Sequence, residues 1–94
     1  MNMEFTWDEE KSRRNEVERG LPFRTAPAMF EGPTVEVIDE RFDYGEERII
    51  SMGQVGASVL VCVYTEHGDV RRIISLRAAT RRECDEYFRT DYED

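Results

Sequence analysis

The stretch Val59-Leu60-Val61-Cys62-Val63-Tyr64-Thr65-Glu66-His67-Gly68-Asp69-Val70 decides the fold of this chain. Its continuous apolar run, residues 59–65, predicts a buried strand at the centre of a sheet. The polar residues 66–69 that follow predict a tight hairpin turn, in which His67 is an exposed turn residue rather than a catalytic base. Residues 70–77 predict a further strand that pairs back on the central one.

The residues before this run predict a strand and a surface helix at the start of the chain. Glu4 to Trp7 alternates between polar and apolar side chains, which indicates a short strand. The helix is expected from Glu9 to Arg19, with Thr6 or Asp8 as its N-cap and Gly20 as its end. This helix contains a single apolar residue, so we expect it to lie on the surface.

The middle of the chain predicts a short helix and two strands. Apolar residues within 23–30 have helical spacing, although a proline limits that helix to a short piece. Strands are expected over 34–39 and 47–52, with turns at 43–45 and 53–56.

A capping box, Thr80-Arg81-Arg82-Glu83, predicts the start of a final helix. This helix carries an apolar stripe that can pack against the sheet, formed by Cys84, Tyr87, Phe88 and Tyr92. We expect this stripe and Trp7 to lie in the core. The predicted class is therefore α+β, with the order β-α-α-β-β-β-β-α, a mainly antiparallel sheet, and residues 1–94 as one domain.

Charge is distributed unevenly in this acidic chain. The net charge is −8, which argues against simple electrostatic binding to nucleic acid. Residues 70–82 nevertheless carry five arginines and no acid, which is either a solvated face or a phosphate-binding strip. No apolar run is long enough to span a membrane, and the N-terminus does not read as a signal peptide, so we expect a cytoplasmic protein with two reduced cysteines.

Few residue patterns support catalysis. One histidine and two cysteines in apolar surroundings form no metal-ligand cluster, so we expect no metal and no other cofactor. Metal-free RNA cleavage needs a base, cations for the phosphate and an acid. Glu46 or Glu47 could be the base, Arg72 and Arg77 could bind phosphate, and Lys11 could add a second positive charge. Ordinary cross-strand pairing of these glutamates and arginines is the alternative.

Three segments of the chain resemble the BrnT toxin family. They are Trp7-Asp8-Glu9-Glu10-Lys11 with Asn15 and Gly20, then Asp39-Glu40-Arg41-Phe42-Asp43-Tyr44-Gly45-Glu46-Glu47-Arg48, and last Val63-Tyr64-Thr65-Glu66 with residues 72–83. The resemblance covers nearly the whole chain, and its last segment is the most specific.

The resemblance implies a RelE-like fold and a type II toxin that blocks translation by cutting RNA. It also implies a partner, a BrnA-like antitoxin with a ribbon-helix-helix domain. The pair would repress its own operon, and the toxin would act on DNA only through this antitoxin. Two sets of site residues follow: Lys11, Glu46, Glu47, Arg72 and Arg77 for catalysis, and Arg48, Arg71, Arg81 and Arg82 for RNA binding.

The chain departs from the family pattern at several positions. Histidines are common in the family where this chain has Arg19 and Phe42, and Lys-His usually precedes the glycine where this chain has Glu18-Arg19. A lysine is common where this chain has Ala78. Arg19 could replace part of the missing positive charge but is no base near neutral pH. A catalytically weakened RelE-like protein, kept for antitoxin binding and operon regulation, is therefore the alternative to a ribonuclease, and an unrelated acidic interaction module is a third class.

Overall fold

The computed structural model describes residues 3–41 and 45–92, and the α+β class expected from the sequence is confirmed. The elements follow the chain as β1 (Glu4–Thr6), α1 (Glu9–Arg19), a 3-10 turn (Phe23–Thr25) that leads into α2 (Ala26–Met29), β2 (Thr34–Ile38), β3 (Ile49–Val55), β4 (Ser58–His67), β5 (Val70–Ala78) and α3 (Arg81–Tyr92).

The strands form one mixed sheet in the order β1-β5-β4-β3-β2, so the apolar β4 lies at its centre, as predicted. Neighbouring strands from β2 to β5 pair antiparallel, whereas β1 pairs parallel with the start of β5. The sheet is therefore mainly antiparallel, with one parallel pair among the described strands.

The hairpin between β3 and β4 corrects the predicted boundaries. The sequence placed β3 at 47–52 and its turn at 53–56, but β3 runs from Ile49 to Val55 and the turn is Gly56-Ala57. Gly56 has a φ of 60°, the left-handed conformation that glycine supplies at the first position of a two-residue hairpin turn. Gly53 lies within β3 instead of in the turn. A glycine is needed there because a Cβ at this position would collide with the side chain of Met29 on α2.

A β-bulge in β5 determines which way its side chains point. Val63 pairs with Ser75 and Tyr64 pairs with Ile73, so Ile74 is the extra residue of the ladder. The extra residue shifts the alternation of side chains by one position. Two residues of β5 that flank the bulge and are an odd number of positions apart therefore point to the same face.

One face of the sheet, the core face, packs against α2 and the turn before it. The buried cluster on this face contains Phe23, Ala26, Met29, Leu60, Cys62, Tyr64, Ile73 and Leu76. Trp7 is partly buried and packs against this cluster, as expected of a core residue.

Helix α1 lies on the surface, as predicted, and its buried side is polar. Val17 is 85% exposed, while Ser12 and Asn15 are buried. The Ser12 hydroxyl accepts a hydrogen bond from the backbone of Phe23 at 2.8 Å, and the Asn15 amide donates to the Leu76 carbonyl at 2.8 Å. Asn15 therefore satisfies a carbonyl at the edge of β5 that lies beyond the reach of the short β1.

Helix α3 begins with the predicted capping box. The Thr80 hydroxyl accepts from the Glu83 backbone at 3.2 Å, and the Glu83 carboxylate accepts from the Thr80 backbone at 2.8 Å. In the predicted stripe, Tyr87 is buried and its hydroxyl donates to the Pro33 carbonyl, whereas Phe88 is partly exposed against the Tyr87 ring. The prediction that Phe88 lies in the core was therefore wrong, because its side chain is 37% exposed.

Two sequence predictions lie outside the described residues. They are the turn at Asp43-Tyr44 and the burial of the Tyr92 side chain.

Candidate functional site

The face of the sheet opposite the core face, here called the outer face, carries two of the predicted cations, Arg72 and Arg77. Cross-strand pairs place Thr65 with Arg72, His67 with Val70, and Val61 with Arg77 on this face. Arg72 and Arg77 are five residues apart, so plain alternation would separate them. The bulge at Ile74 brings both to the outer face, about 15 Å apart along the strand.

Two of the predicted cations act on the carboxylate that caps α1. Asp8 caps this helix by accepting hydrogen bonds from the backbone of Glu10 at 2.9 Å and of Lys11 at 3.2 Å. These backbone bonds lower the pKa of Asp8, and the nearby charges of Lys11 and Arg72 lower it further. Lys11 and Arg72, whose side chains are both exposed, are therefore the two cations whose charges act on this carboxylate.

A shallow cavity of about 230 Å³ continues this cationic region along α1. Lys11, Arg14 and Arg19 line it together with Glu18, and Ile74 of β5 forms part of its wall. Arg19 also donates weakly, at 3.4 Å, to Asn15 and to the Leu76 carbonyl. Arg19 therefore adds positive charge to this cavity, beside the strand β5.

Glu46 faces the histidine that the sequence analysis assigned to a turn. Glu46 Oε1 lies 3.0 Å from His67 Nε2, and both side chains are well exposed. His67 is the last residue of β4 and precedes the turn Gly68-Asp69. The exposure expected for His67 is confirmed, but its contact with Glu46 was missed because the hairpin register was not known from the sequence.

Arg77 is bound to Glu83 at the other end of the outer face. Its guanidinium donates to both Glu83 oxygens, at 2.8 and 2.9 Å. Hydrogen bonding to Arg77 lowers the pKa of Glu83 to about 2, and the same hydrogen bonding to Glu83 raises the pKa of Arg77. Arg77 therefore joins β5 to α3, and a phosphate would have to compete with Glu83 for it.

A groove of about 400 Å³ lies between α3 and the outer face near Arg77. Its floor consists of five apolar side chains from β2, β3 and β4, and its walls carry Arg41, Arg77, Glu83 and Glu86. Val37, one of these five, lies on the edge strand β2 and is exposed.

Arg71 is separated from the other arginines, because it points to the core face. Its guanidinium lies 4.7 Å from the ring centre of Phe30 and 5.0 Å from that of Tyr64, and its Nε donates to Glu66 at 2.9 Å. Its side chain is 18% exposed. Arg71 is thus held by two rings and a carboxylate, away from Arg72 and Arg77.

The remaining predicted residues are spread over the surface. Arg81 and Arg82 are exposed in the first turn of α3, and Glu47 is exposed just before β3. Arg48 is half-buried, and its backbone carbonyl accepts from Asp39, which extends the pairing of β2 with β3. The nine predicted residues therefore do not form one strip.

The described part of the chain shows no cluster of three or more side chains suited to a metal ion, and none of its helices is long and apolar enough to cross a membrane. Cys62 is fully buried, as predicted, and burial raises the pKa of its thiol to about 12. Cys84, which was also predicted to lie in the core, is only half-buried because the packing of α3 covers it incompletely, and both cysteines are free.

One family model matches the chain. Residues 7–83 match the model described as the ribonuclease toxin, BrnT, of type II toxin–antitoxin systems. A search of curated proteins found no significant match. The matched segment includes every candidate site residue discussed above.

Proposed function

Since the chain belongs to the BrnT family of ribonuclease toxins of type II toxin–antitoxin systems, we propose that it is a metal-independent endoribonuclease that stops translation in the cytoplasm. The observation that carries this proposal is that the exposed Arg72 lies on the outer face, paired with Thr6 at the end of β1, and acts together with Lys11 on the Asp8 carboxylate two residues further along. Two exposed cations on rigid elements can hold a phosphodiester while charge develops on it.

We assign the predicted residues different roles in this reaction, according to their contacts. Arg72 and Lys11 would bind the scissile phosphate, and Arg14 and Arg19 would hold a neighbouring phosphate along α1. Arg77 is held by Glu83, so we assign it to the joint between β5 and α3 unless RNA displaces the carboxylate. Arg71 supports the core face through its ring contacts.

A cleavage assay tests this proposal. The purified chain should cut a single-stranded RNA transcript, and Arg72→Ala should slow cleavage by about a hundredfold, as expected when one preorganised charge is removed from a transition state. Arg24→Ala is the matched control, because Arg24 is an exposed arginine in the turn that packs on the core face. Equal rates for Arg72→Ala and Arg24→Ala would contradict the assignment of Arg72.

Salt dependence gives a second readout of the same contacts. Each phosphate contact to single-stranded nucleic acid contributes about −0.7 to the slope of log affinity against log salt. Arg72→Ala should therefore make the slope shallower by about 0.7. With a net charge of −8, the whole protein should bind RNA weakly outside this region.

We further propose that a BrnA-like ribbon-helix-helix antitoxin neutralises the chain, and that the pair represses its own operon. The groove beside α3 supports an antitoxin site, because its apolar floor and charged walls suit a protein segment better than RNA. Induction of the chain alone should arrest bacterial growth, and co-induction of the neighbouring antitoxin gene should relieve the arrest. Arrest that the partner gene does not relieve would contradict this pairing.

A binding protein with weakened catalysis is the second candidate function. It is favoured by the engagement of Arg71 with Glu66 and of Arg77 with Glu83, which leaves fewer arginine forks for phosphate. Soluble expression without growth arrest, together with tight antitoxin binding, would favour this candidate over the nuclease.

A further inference from the structure

His67, the last residue of β4, contacts Glu46, which lies in the segment just before β3. The β3–β4 ladder ends with the pair Ile49 and Tyr64; Glu46 lies three residues before this pair and His67 three residues after it. The two side chains meet at 3.0 Å, between Glu46 Oε1 and His67 Nε2. The contact therefore lies where the two segments continue past the end of the ladder.

The histidine lies next to the proposed phosphate site. His67 pairs with Val70, and Thr65 pairs with Arg72, so His67 and Arg72 share the outer face as diagonal neighbours. Diagonal neighbours in an antiparallel pair have Cβ atoms about 7 Å apart, which is within the reach of both long side chains. His67 is 69% exposed, so an RNA held by Arg72 can reach its ring.

Charged groups surround this ring on several sides. Glu46 contacts the ring, and Arg72 is its diagonal neighbour on β5. Asp69 follows in the turn, and Glu4 of β1 is the next residue across the sheet, because Val70 pairs with both His67 and Glu4. Glu66 alternates to the core face, where it binds Arg71. Glu46 is therefore the carboxylate that contacts the imidazole directly.

We infer that His67 is the catalytic base of the proposed RNA cleavage and that Glu46 is its positioning residue. This inference rests on the proposed ribonuclease function. When His67 donates Nε2–H to the Glu46 carboxylate, the other ring nitrogen, Nδ1, keeps its lone pair and faces away from Glu46.

In the reaction, Nδ1 accepts the proton of the RNA 2′-hydroxyl while the 2′-oxygen forms a bond to phosphorus. The bond from phosphorus to the 5′-oxygen breaks, water protonates this leaving oxygen, and the imidazolium later releases its proton to solvent. The products are a 2′,3′-cyclic phosphate and a 5′-hydroxyl. Arg72 stabilises the charge on the phosphoryl oxygens, and Glu46 stabilises the imidazolium.

The pH profile of RNA cleavage tests this inference, with a single-stranded transcript as substrate and pH 5 to 9 as the range. An imidazole base makes cleavage rise between about pH 5 and 8, because the protonated ring cannot accept a proton. His67→Gln should lower the rate at pH 7.5 by about a hundredfold and remove this rise. Added imidazole should partly restore cleavage by His67→Ala.

Glu46→Gln should keep the rise with pH and lower the rate about tenfold, since the ring keeps a polar neighbour but loses the stabilising charge. Glu16→Gln is its matched control, because Glu16 is also an exposed carboxylate with one ionic contact and lies on α1. Both His67 and Glu46 are exposed, so circular dichroism should show native folding for all these variants.

Each outcome decides the inference. If the native chain cleaves RNA and Arg72→Ala slows it, while His67→Gln keeps the native rate and pH profile, the role of His67 is overturned and the proposed function stands. If the native chain does not cleave RNA at any pH, the proposed function and the role of His67 fail together. Loss of rate and of the pH-dependent rise in His67→Gln, with imidazole rescue of His67→Ala, supports the role.

Discussion

Replacing Arg77 with alanine removes the guanidinium that connects the last strand to the last helix. Arg77 donates to both oxygens of Glu83, and Glu83 also accepts from the Thr80 backbone in the capping box. We therefore expect Arg77→Ala to lower the free energy of unfolding. A residue that only binds the scissile phosphate would instead abolish RNA cleavage with little effect on stability.

The size of this effect can be worked from the carboxylate. The fall in the pKa of Glu83 from 4.5 to about 2 corresponds to about 3 kcal/mol in favour of the ionised form. Arg77 is 41% exposed and Thr80 contributes part of the effect, so solvent screening leaves about 1 to 2 kcal/mol for the pair. In a domain of this size, that loss lowers the melting temperature by about 4 to 16 °C.

The pH dependence has a defined sign. The folded pKa of Glu83 is lowered, so its stabilisation is fully present above about pH 4.5 and is lost as the pH falls towards about 2. The difference in unfolding free energy between the native chain and Arg77→Ala should therefore be largest at neutral pH and should shrink between pH 4.5 and 2.

Urea denaturation of a double-mutant cycle measures the interaction. The variants are Arg77→Ala, Glu83→Gln and the double variant, with Arg72→Ala as the matched control, because Arg72 is an exposed arginine of the same strand that does not contact Glu83. We expect a coupling energy of about 1 to 2 kcal/mol at pH 7. Additive effects within about 0.5 kcal/mol, or an equal loss in Arg72→Ala, would refute the structural role of Arg77.

Three further predictions concern stability. Gly53→Ala should cost about 1 to 3 kcal/mol in urea denaturation, because its methyl group meets Met29, and a cost below 0.5 kcal/mol would show that α2 can move aside. Asn15→Ala should lower the free energy of unfolding by about 1 to 3 kcal/mol, because it leaves a β5 carbonyl without its hydrogen bond from Asn15. Val17→Ala, on the exposed side of the same helix, should leave stability unchanged, and equal effects of the two variants would contradict the anchoring role of Asn15. Arg71→Met should lower the melting temperature without changing RNA affinity, and a loss of affinity in filter binding would place this residue with the RNA-binding arginines instead.

The strands and helices were largely predictable because each has a strong local signal. The apolar run at 59–65 can bury both faces only at the centre of a sheet, and it forms β4. The capping box at Thr80 and the glycine at position 20 fixed the start of α3 and the end of α1 in sequence as in structure. These features depend on residues within a few positions of one another.

The turn between β3 and β4 was misplaced because Gly53 and Gly56 are both plausible turn glycines in sequence. Only the packing of α2 on the sheet shows that Gly53 is needed inside β3. The misplaced turn left the β3–β4 register unknown, and with it which residues before β3 come near His67. In the structure that residue is Glu46, three positions before the last pair of the ladder.

The arginine-rich segment shows why charge in the sequence does not measure charge at a site. Strand alternation sends Arg71 to the core face and Arg72 to the outer face, and the bulge at Ile74 then returns Arg77 to the side of Arg72. Of these three arginines, Arg71 and Arg77 each bind a carboxylate, so Arg72 is the one that β5 offers to RNA on the outer face. Because the chain is acidic as a whole, catalysis in the proposed nuclease must depend on where its few cations stand and not on their number. Arg72 acts with Lys11 on the carboxylate at the start of α1 and has His67 as its diagonal neighbour, which is the arrangement in the structure that meets this requirement.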